Sequence, residues 1–322
     1  MEAFRWARFQ FILQPKDQIL LPAYKGSAFR GGFGHTFRNV VCAVREKDCA
    51  ACMLKERCIY CYIFETPYPE DNGKKQLLAG NSHIPHPFII EPPLGDKRLY
   101  SADDLLNLGL ILIGRAIDYF PYFIFTFHEW GRIGIGKGRG KYQLEQVYSI
   151  KDGEKVEIYN GEDKILSNSF LVSTLADING LSQEEPGLKE LTIRFLTPTR
   201  IKHGGRYITQ LPFPVLLRAI LWRLSCLSYF HCNSPLNLDC QDILTEASQV
   251  SIVEFTIRWH DWERYSQRQD TRMKLGGIVG DITYGGDLAR FLPYLLLAQE
   301  LHVGKATSFG LGQIAILNQR WG

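Results

Sequence analysis

Apolar and polar residues alternate from the start of the chain: Ala7, Phe9, Phe11 and Leu13 stand against Arg8, Gln10 and Gln14, with Ile12 the exception. A period of two marks a strand with one buried face. The period then changes. Phe29, Phe33, Phe37, Val40 and Val44 follow at spacings of four, four, three and four. That spacing predicts an amphipathic helix, with Ser27 placed to cap its N-terminus. Opposite the phenylalanines lie Gly31, His35, Arg38 and Arg45, with Gly32 and Gly34 at the margins. Glycine costs a helix roughly 1 kcal/mol per residue relative to alanine, so close approach of another backbone, protein or RNA, is the expected compensation.

Further on, Leu105 to Gly114 predicts a buried strand and Ala116 to Trp130 a helix broken near Pro121. A glycine-rich segment, Gly131 to Lys141, leads into the strand Tyr142 to Tyr148. The same order returns near the other end. Leu275 to Tyr284 is a strand interrupted by glycines, and Leu295, Leu296, Leu297 and Leu301 close a buried helix. Gly304 to Gly312 is the loop, and Gln313 to Asn318 the strand after it. At a constant offset of 172, Gly114 falls on Gly286, Phe120-Pro121-Tyr122 on Leu292-Pro293-Tyr294, and Gly138-Arg139-Gly140 on Gly310-Leu311-Gly312. A gapless match of this kind indicates an internal duplication.

Leu191 to Thr197, Phe213 to Leu227 and Gln249 to Trp259 supply the earlier strand, helix and strand of the second copy. Each half reads strand, helix, strand or hairpin, helix, glycine loop, strand. The fold class expected is therefore α+β: tandem ferredoxin-like (RRM-like) domains with antiparallel sheets. The domains span residues 1–180 and 186–322, joined through the polar stretch Ser173 to Lys189, where Glu184-Glu185-Pro186-Gly187 breaks structure. Phe64 to Gly95 is loop-like, with a turn at Asn72-Gly73.

Composition narrows the class. The chain has 322 residues, 45% hydrophobic and 22% charged, enough for two ordinary cores and not the balance of a disordered chain. The N-terminus carries no export signal, which points to a cytoplasmic protein. The most apolar window, Leu105 to Phe127, is interrupted by Arg115, Asp118 and Pro121, so no membrane span is expected. A net charge of +3 is too mild to prove a nucleic-acid partner.

Local chemistry says more. Of eight cysteines, Cys42, Cys49, Cys52, Cys58 and Cys61 fall within twenty residues as a 42–61 insertion in the first domain. Paired thiolates two residues apart suit a tetrahedral ion, so four of the five are expected to hold a structural zinc, with an iron–sulfur cluster or metal-free buried thiols as the alternatives. A fully ligated site is not catalytic. Arg132, Lys137, Arg139 and Lys141 interleave with the first glycine loop, and Arg194, Arg200, Lys202 and Arg206 surround His203-Gly204-Gly205. Cations beside exposed backbone N–H groups suit a phosphate backbone, with Tyr207 or Phe309 to stack on a base; the alternative is a merely solvated surface. The first loop precedes a strand, so it is no dinucleotide fingerprint.

Gly304-Lys305-x-x-Ser308-Phe309-Gly310-Leu311-Gly312, with Gly276-Gly277-Ile278-Val279-Gly280 and Gly285-Gly286-Asp287-Leu288 upstream, resembles the CRISPR precursor-RNA processing endoribonucleases of the RAMP superfamily. Phe29-Arg30-Gly31-Gly32-Phe33-Gly34, the run Cys42, Cys49, Cys52, Cys58 and Tyr60, and Thr197-Pro198-Thr199-Arg200-Ile201-Lys202 are similar to its cysteine-containing branch. The resemblance implies a protein that binds a CRISPR repeat transcript and cuts it without a catalytic metal, the 2′-OH attacking the adjacent phosphate to leave a 2′,3′-cyclic phosphate. It implies a histidine on or near the first helix as catalyst, hence His35, with Tyr24 and Lys25 nearby; His302 with Lys305 is the rival pair and His203 a third choice. Arg38, Arg132, Lys137, Arg139, Lys141, Arg200, Lys202, Lys305, Ser308 and Phe309 are then the RNA contacts. The partners implied are CRISPR repeat RNA, subunits of a CRISPR effector complex and, as an open alternative, a second copy of the chain. A noncatalytic RNA-binding subunit of an effector complex is the alternative function.

Overall fold

The computed structural model describes residues 4–321 apart from 46–47, 68, 70–77, 79–82, 183–186, 237, 262 and 267–270. The expected turn at Asn72-Gly73 and the break at Glu184-Glu185-Pro186 lie outside the described residues. The chain divides into two compact units: residues up to Ser173 with Cys226–Ser234, and Thr174–Ser225 with Pro235–Gly322. The division falls inside the polar stretch, but the helix Leu175–Ser182 goes with the second unit.

In the first unit the main elements are β1 (Arg5–Pro15), α1 (Gly26–Val41), β2 (Phe88–Glu91), β3 (Leu106–Ile113), α2 (Phe120–Ile133), β4 (Tyr142–Lys151) and β5 (Glu154–Asn160). The sheet runs β2-β3-β1-β4-β5, with every neighbour antiparallel. The first strand is thus central, flanked by the strands before and after the second helix, which is the ferredoxin-like order. The spacing of apolar residues explains the packing. Phe29, Phe33 and Phe37 of α1 are fully buried, and the Phe33 ring lies 4.7 Å from Phe127 and 5.3 Å from Phe123 of α2. Phe9 of β1 stacks on Phe120 at 3.9 Å.

Three expectations are corrected here. Ser27 does not cap α1, which begins at Gly26 with no side-chain cap. Pro121 does not break a helix: residues 114–119 form a 3-10 turn, and Pro121 opens α2, where its fixed φ and missing N–H cost nothing. Gly32 and Gly34 of α1 do not wait for another backbone. A Cβ on Gly32 would collide with the Trp130 ring and one on Gly34 would stand 2.7 Å from Phe64, so aromatic side chains take up that space.

The second unit contains β6 (Leu188–Thr199), the hairpin β7 (Lys202–His203) and β8 (Arg206–Tyr207), α3 (Phe213–Cys232, of which the residues from Cys226 on group with the first unit), β9 (Ser251–Phe255), β10 (Arg258–His260), the hairpin β11 (Glu263–Ser266) and β12 (Thr271–Lys274), β13 (Gly277–Gly285), α4 (Leu292–Leu301) and β14 (Ile314–Trp321). Its sheet runs β9-β13-β6-β14, with β10 also on β13, all antiparallel. This repeats the order of the first unit. The equivalence extends to detail, since a 3-10 turn again precedes α4 and Pro293 again lies in its first turn. Among the described residues one helix, α3, is long and apolar enough to cross a membrane. Leu216, Leu217, Ile220, Leu221 and Leu224 of that helix are buried in the protein, as a core helix requires.

Candidate nucleic-acid site

On α1 the buried phenylalanines force the opposite face outward. Gly31, His35 and Asn39, four residues apart, form an exposed strip. Nothing would lie within 4 Å of a Cβ on Gly31, so the strip is open beside the imidazole. Asn39 Nδ2 lies 3.5 Å from His35 Nε2, near enough to bias the ring's orientation. Asn39 was not singled out from sequence, although its four-residue spacing from His35 was the available signal. Arg38, one turn on, sits over the Tyr60 ring at 5.4 Å.

Tyr24 and Lys25 do not join this strip. Lys25 is 2% exposed and donates from Nζ to the Gly95 carbonyl at 2.7 Å; burial pulls its ammonium below the usual value. Burial likewise pushes the Tyr24 phenol far up, so it holds its proton throughout the ordinary pH range. The rival His302 is 1% exposed, with Nδ1 3.0 Å from the Leu311 carbonyl. It braces the glycine loop from inside, away from any solution ligand. Ser308, 3% exposed, is also a packing residue, while Phe309 is half-buried.

Both glycine loops direct their backbone inward. In the first, the N–H groups of Ile135, Lys137 and Arg139 donate to Gly140, Leu20 and Gly136 carbonyls, and that of Lys141 to the Asp17 carboxylate. In the second, Val303 donates to Gly312, Lys305 to Arg200, Phe309 to Ala306 and Gly310 to Thr307. A Cβ on Gly312 would run into the Val303 carbonyl. These N–H groups are therefore spent within the protein. What the loops offer outward is cationic side chains: Arg132, Lys137, Arg139 and Lys141 in the first unit and Lys305 in the second are exposed. Arg132 also lies 3.3 Å from Glu129. Lys202, His203 and Arg206 are exposed on the β7–β8 hairpin, whose Gly204 and Gly205 both have positive φ, as a two-residue turn of this hand needs. Arg194 is committed instead to a bidentate pair with Asp281, at 2.8 and 2.7 Å.

The five clustered cysteines are the residues expected to hold a structural metal. Among the described residues no group of three or more His, Cys, Asp or Glu is set to hold an ion. None of these five cysteines is in a disulfide. Cys61 is buried and in hydrogen-bonding contact with Cys49 and Cys58, and burial first, then those neighbours, push its thiol up to about 12.

Comparison with known proteins matches each half of the chain to a family model. Residues 4–171 match the AF_1859_N family model, an N-terminal domain, and residues 193–314 match that of the CRISPR-associated endoribonuclease Cas6. The chain belongs to the AF_1859_N family, and its second half carries a match to the Cas6 endoribonuclease. The first match covers the first sheet, and the second runs from within β6 to the first residue of β14. An uncharacterized protein of Archaeoglobus fulgidus is 25% identical over 299 residues, 92% of each chain. Among solved structures, Thermus thermophilus Cas6 superposes with a TM-score of 0.55 at 16% identity, over 98% of this chain and 100% of that one. A Cas6 product complex gives 0.56 at 17%, over 97% and 99%. These likenesses are of fold; the endoribonuclease class comes from the Cas6 family match.

Proposed function

We propose that this protein cuts CRISPR repeat RNA by intramolecular transesterification, with His35 as the acid or base. The observation that carries the reading is the exposed strip Gly31-His35-Asn39 on α1. There an exposed imidazole stands one turn from Gly31, a position that puts no side chain in the way of a ribose-phosphate. In the proposed step a base takes the 2′-OH proton and the 2′ oxygen attacks the adjacent phosphorus. The P–O5′ bond breaks, and the leaving 5′ oxygen takes a proton from an acid. The products are a 2′,3′-cyclic phosphate and a 5′-OH. Arg38 supplies positive charge one helical turn from His35, where it can offset charge developing on phosphoryl oxygens.

The exposed cations of the two loops hold the RNA backbone in this reading, and they do so with side chains because the loop N–H groups are occupied. The test is cleavage of end-labelled repeat RNA in excess chelator. Fragments ending in a 2′,3′-cyclic phosphate, and no cleavage when a single 2′-deoxy residue occupies the cut site, are expected. Cleavage that survives the 2′-deoxy substitution would refute the mechanism, and tight binding without product would favour a noncatalytic subunit.

A further inference from the structure

At the end of β6 in the second unit, Arg200 is 8% exposed, and its Nε is buried without a hydrogen-bond partner. No carboxylate pairs with it among the described residues; its guanidinium lies instead over the Tyr207 ring, 4.6 Å from the centroid. A buried guanidinium left with an unsatisfied donor is costly unless an anion or acceptor completes it. The glycine loop holds it there. The Arg200 carbonyl accepts the Lys305 N–H at 3.0 Å, and a Cβ on Gly304 would come within 2.6 Å of that carbonyl. Lys202 Nζ is 5.0 Å from the same Tyr207 ring.

Beside Tyr207 stands Trp259 of β10, ring centroids 6.4 Å apart. Tyr207 is 36% exposed and Trp259 half-buried on its strand between exposed Arg258 and His260. The indole is fixed in place. Its Nε1 donates to Asp261 Oδ1 at 2.8 Å, and Gly276 is a glycine because a Cβ there would overlap the indole and that carboxylate. Asp261 is thereby turned to its tryptophan, and the surrounding surface keeps Lys202, Arg206 and Arg258 without carboxylate partners among the described residues.

We propose that Tyr207 and Trp259 form a stacking platform for an unpaired nucleotide, with Arg200 and Lys202 taking its phosphate. Aromatic faces beside free cations suit a single-stranded nucleic acid, because every base has a face to stack and every linkage a charge. The inference rests on the reading that this protein binds RNA, and it adds that the bound strand is unpaired at this point. The β7–β8 hairpin and β10 are then specificity elements for single-stranded RNA, and Gly276 serves the platform by making room for it.

The test is fluorescence anisotropy with the full chain, using labelled single-stranded repeat RNA and a blunt RNA duplex over a range of salt. Tyr207→Ala and Trp259→Ala should each weaken single-strand binding about 10-fold, with an unchanged salt slope, since no phosphate contact is lost. Trp259→Phe should recover most of the affinity, and duplex binding should not move. Wild-type affinity in both alanine variants would overturn the platform while leaving RNA binding intact. Equal losses on single strand and duplex, or a flattened salt slope, would show a distorted hairpin and overturn it too. A wild-type protein that binds neither RNA would remove the RNA reading itself, and the platform with it.

Discussion

The indole of Trp130 on α2 fills the space beside Gly32 on α1 where any side chain would have to go. One turn-face away, Gly31 has nothing within 4 Å. The adjacent glycines therefore have opposite roles. Gly32→Ala overpacks the helix pair and should cost about 1–3 kcal/mol, read as a lower denaturation midpoint. Gly31→Ala should stabilise the helix by up to about 1 kcal/mol, since it removes the glycine penalty at an open site. If RNA lies along the strip, the same Gly31→Ala change slows cleavage. A more stable Gly31→Ala protein with undiminished cleavage would mean that the substrate lies elsewhere.

His302 is held by the Leu311 carbonyl and buried, so it should matter to folding and not to chemistry. His302→Ala leaves that carbonyl short of a partner and is expected to cost about 1–3 kcal/mol of stability. At a temperature where the variant is still folded, its single-turnover cleavage rate should equal that of the wild type. A variant that is fully folded but inactive would restore His302 as a catalyst.

The strand periods, the helix spacing of Phe29, Phe33 and Phe37, and the duplication were legible in the chain because each is a local or repeating pattern. They were enough for both ferredoxin-like sheets. What could not be seen were outcomes of long-range packing. Gly32 and Gly34 face Trp130 and Phe64, which lie far along the chain, and no spacing rule links them. His302 and Ser308 share a motif with the exposed Lys305, and only the turn of the loop, with positive φ at His302 and Ala306, sends the first two inside. The same loop carried glycines that suggest free N–H groups; the structure closes those groups on Arg200, Gly312 and their own neighbours. Trp259 went unnoticed because its partner, Tyr207, and the glycine that accommodates it, Gly276, come from separate strands and loops. The exposure of His35 was legible because a helical wheel decides which face looks outward.

Cys61 offers a pH test. Its thiol is raised from 9.0 to about 12, with burial as the main cause. A group whose folded pKa is raised contributes fully below its unfolded value. That stability is lost as pH climbs from about 9 towards 12. Native protein at pH 8 should leave Cys61 unmodified by iodoacetamide while the exposed Cys240 reacts, as peptide mass spectrometry would record. Labelling of Cys61 as fast as Cys240 would contradict its burial as a neutral thiol.

Arg139 and Lys305 are exposed cations on the two glycine loops. If each meets one phosphate, replacing either by alanine should weaken repeat-RNA binding and reduce the slope of log affinity against log salt by roughly 0.7. A loss of affinity with no change in slope would point to a broken loop instead of a lost phosphate contact.

In the proposed function the imidazole on the outer face of α1 does the proton transfer. Its most direct measurement is the single-turnover rate of repeat-RNA cleavage by wild-type and His35→Ala protein, in chelator, at saturating enzyme, with binding measured in parallel. A fall of roughly 100-fold or more with unchanged affinity is expected. His35→Ala protein that cleaves at the wild-type rate would contradict the account.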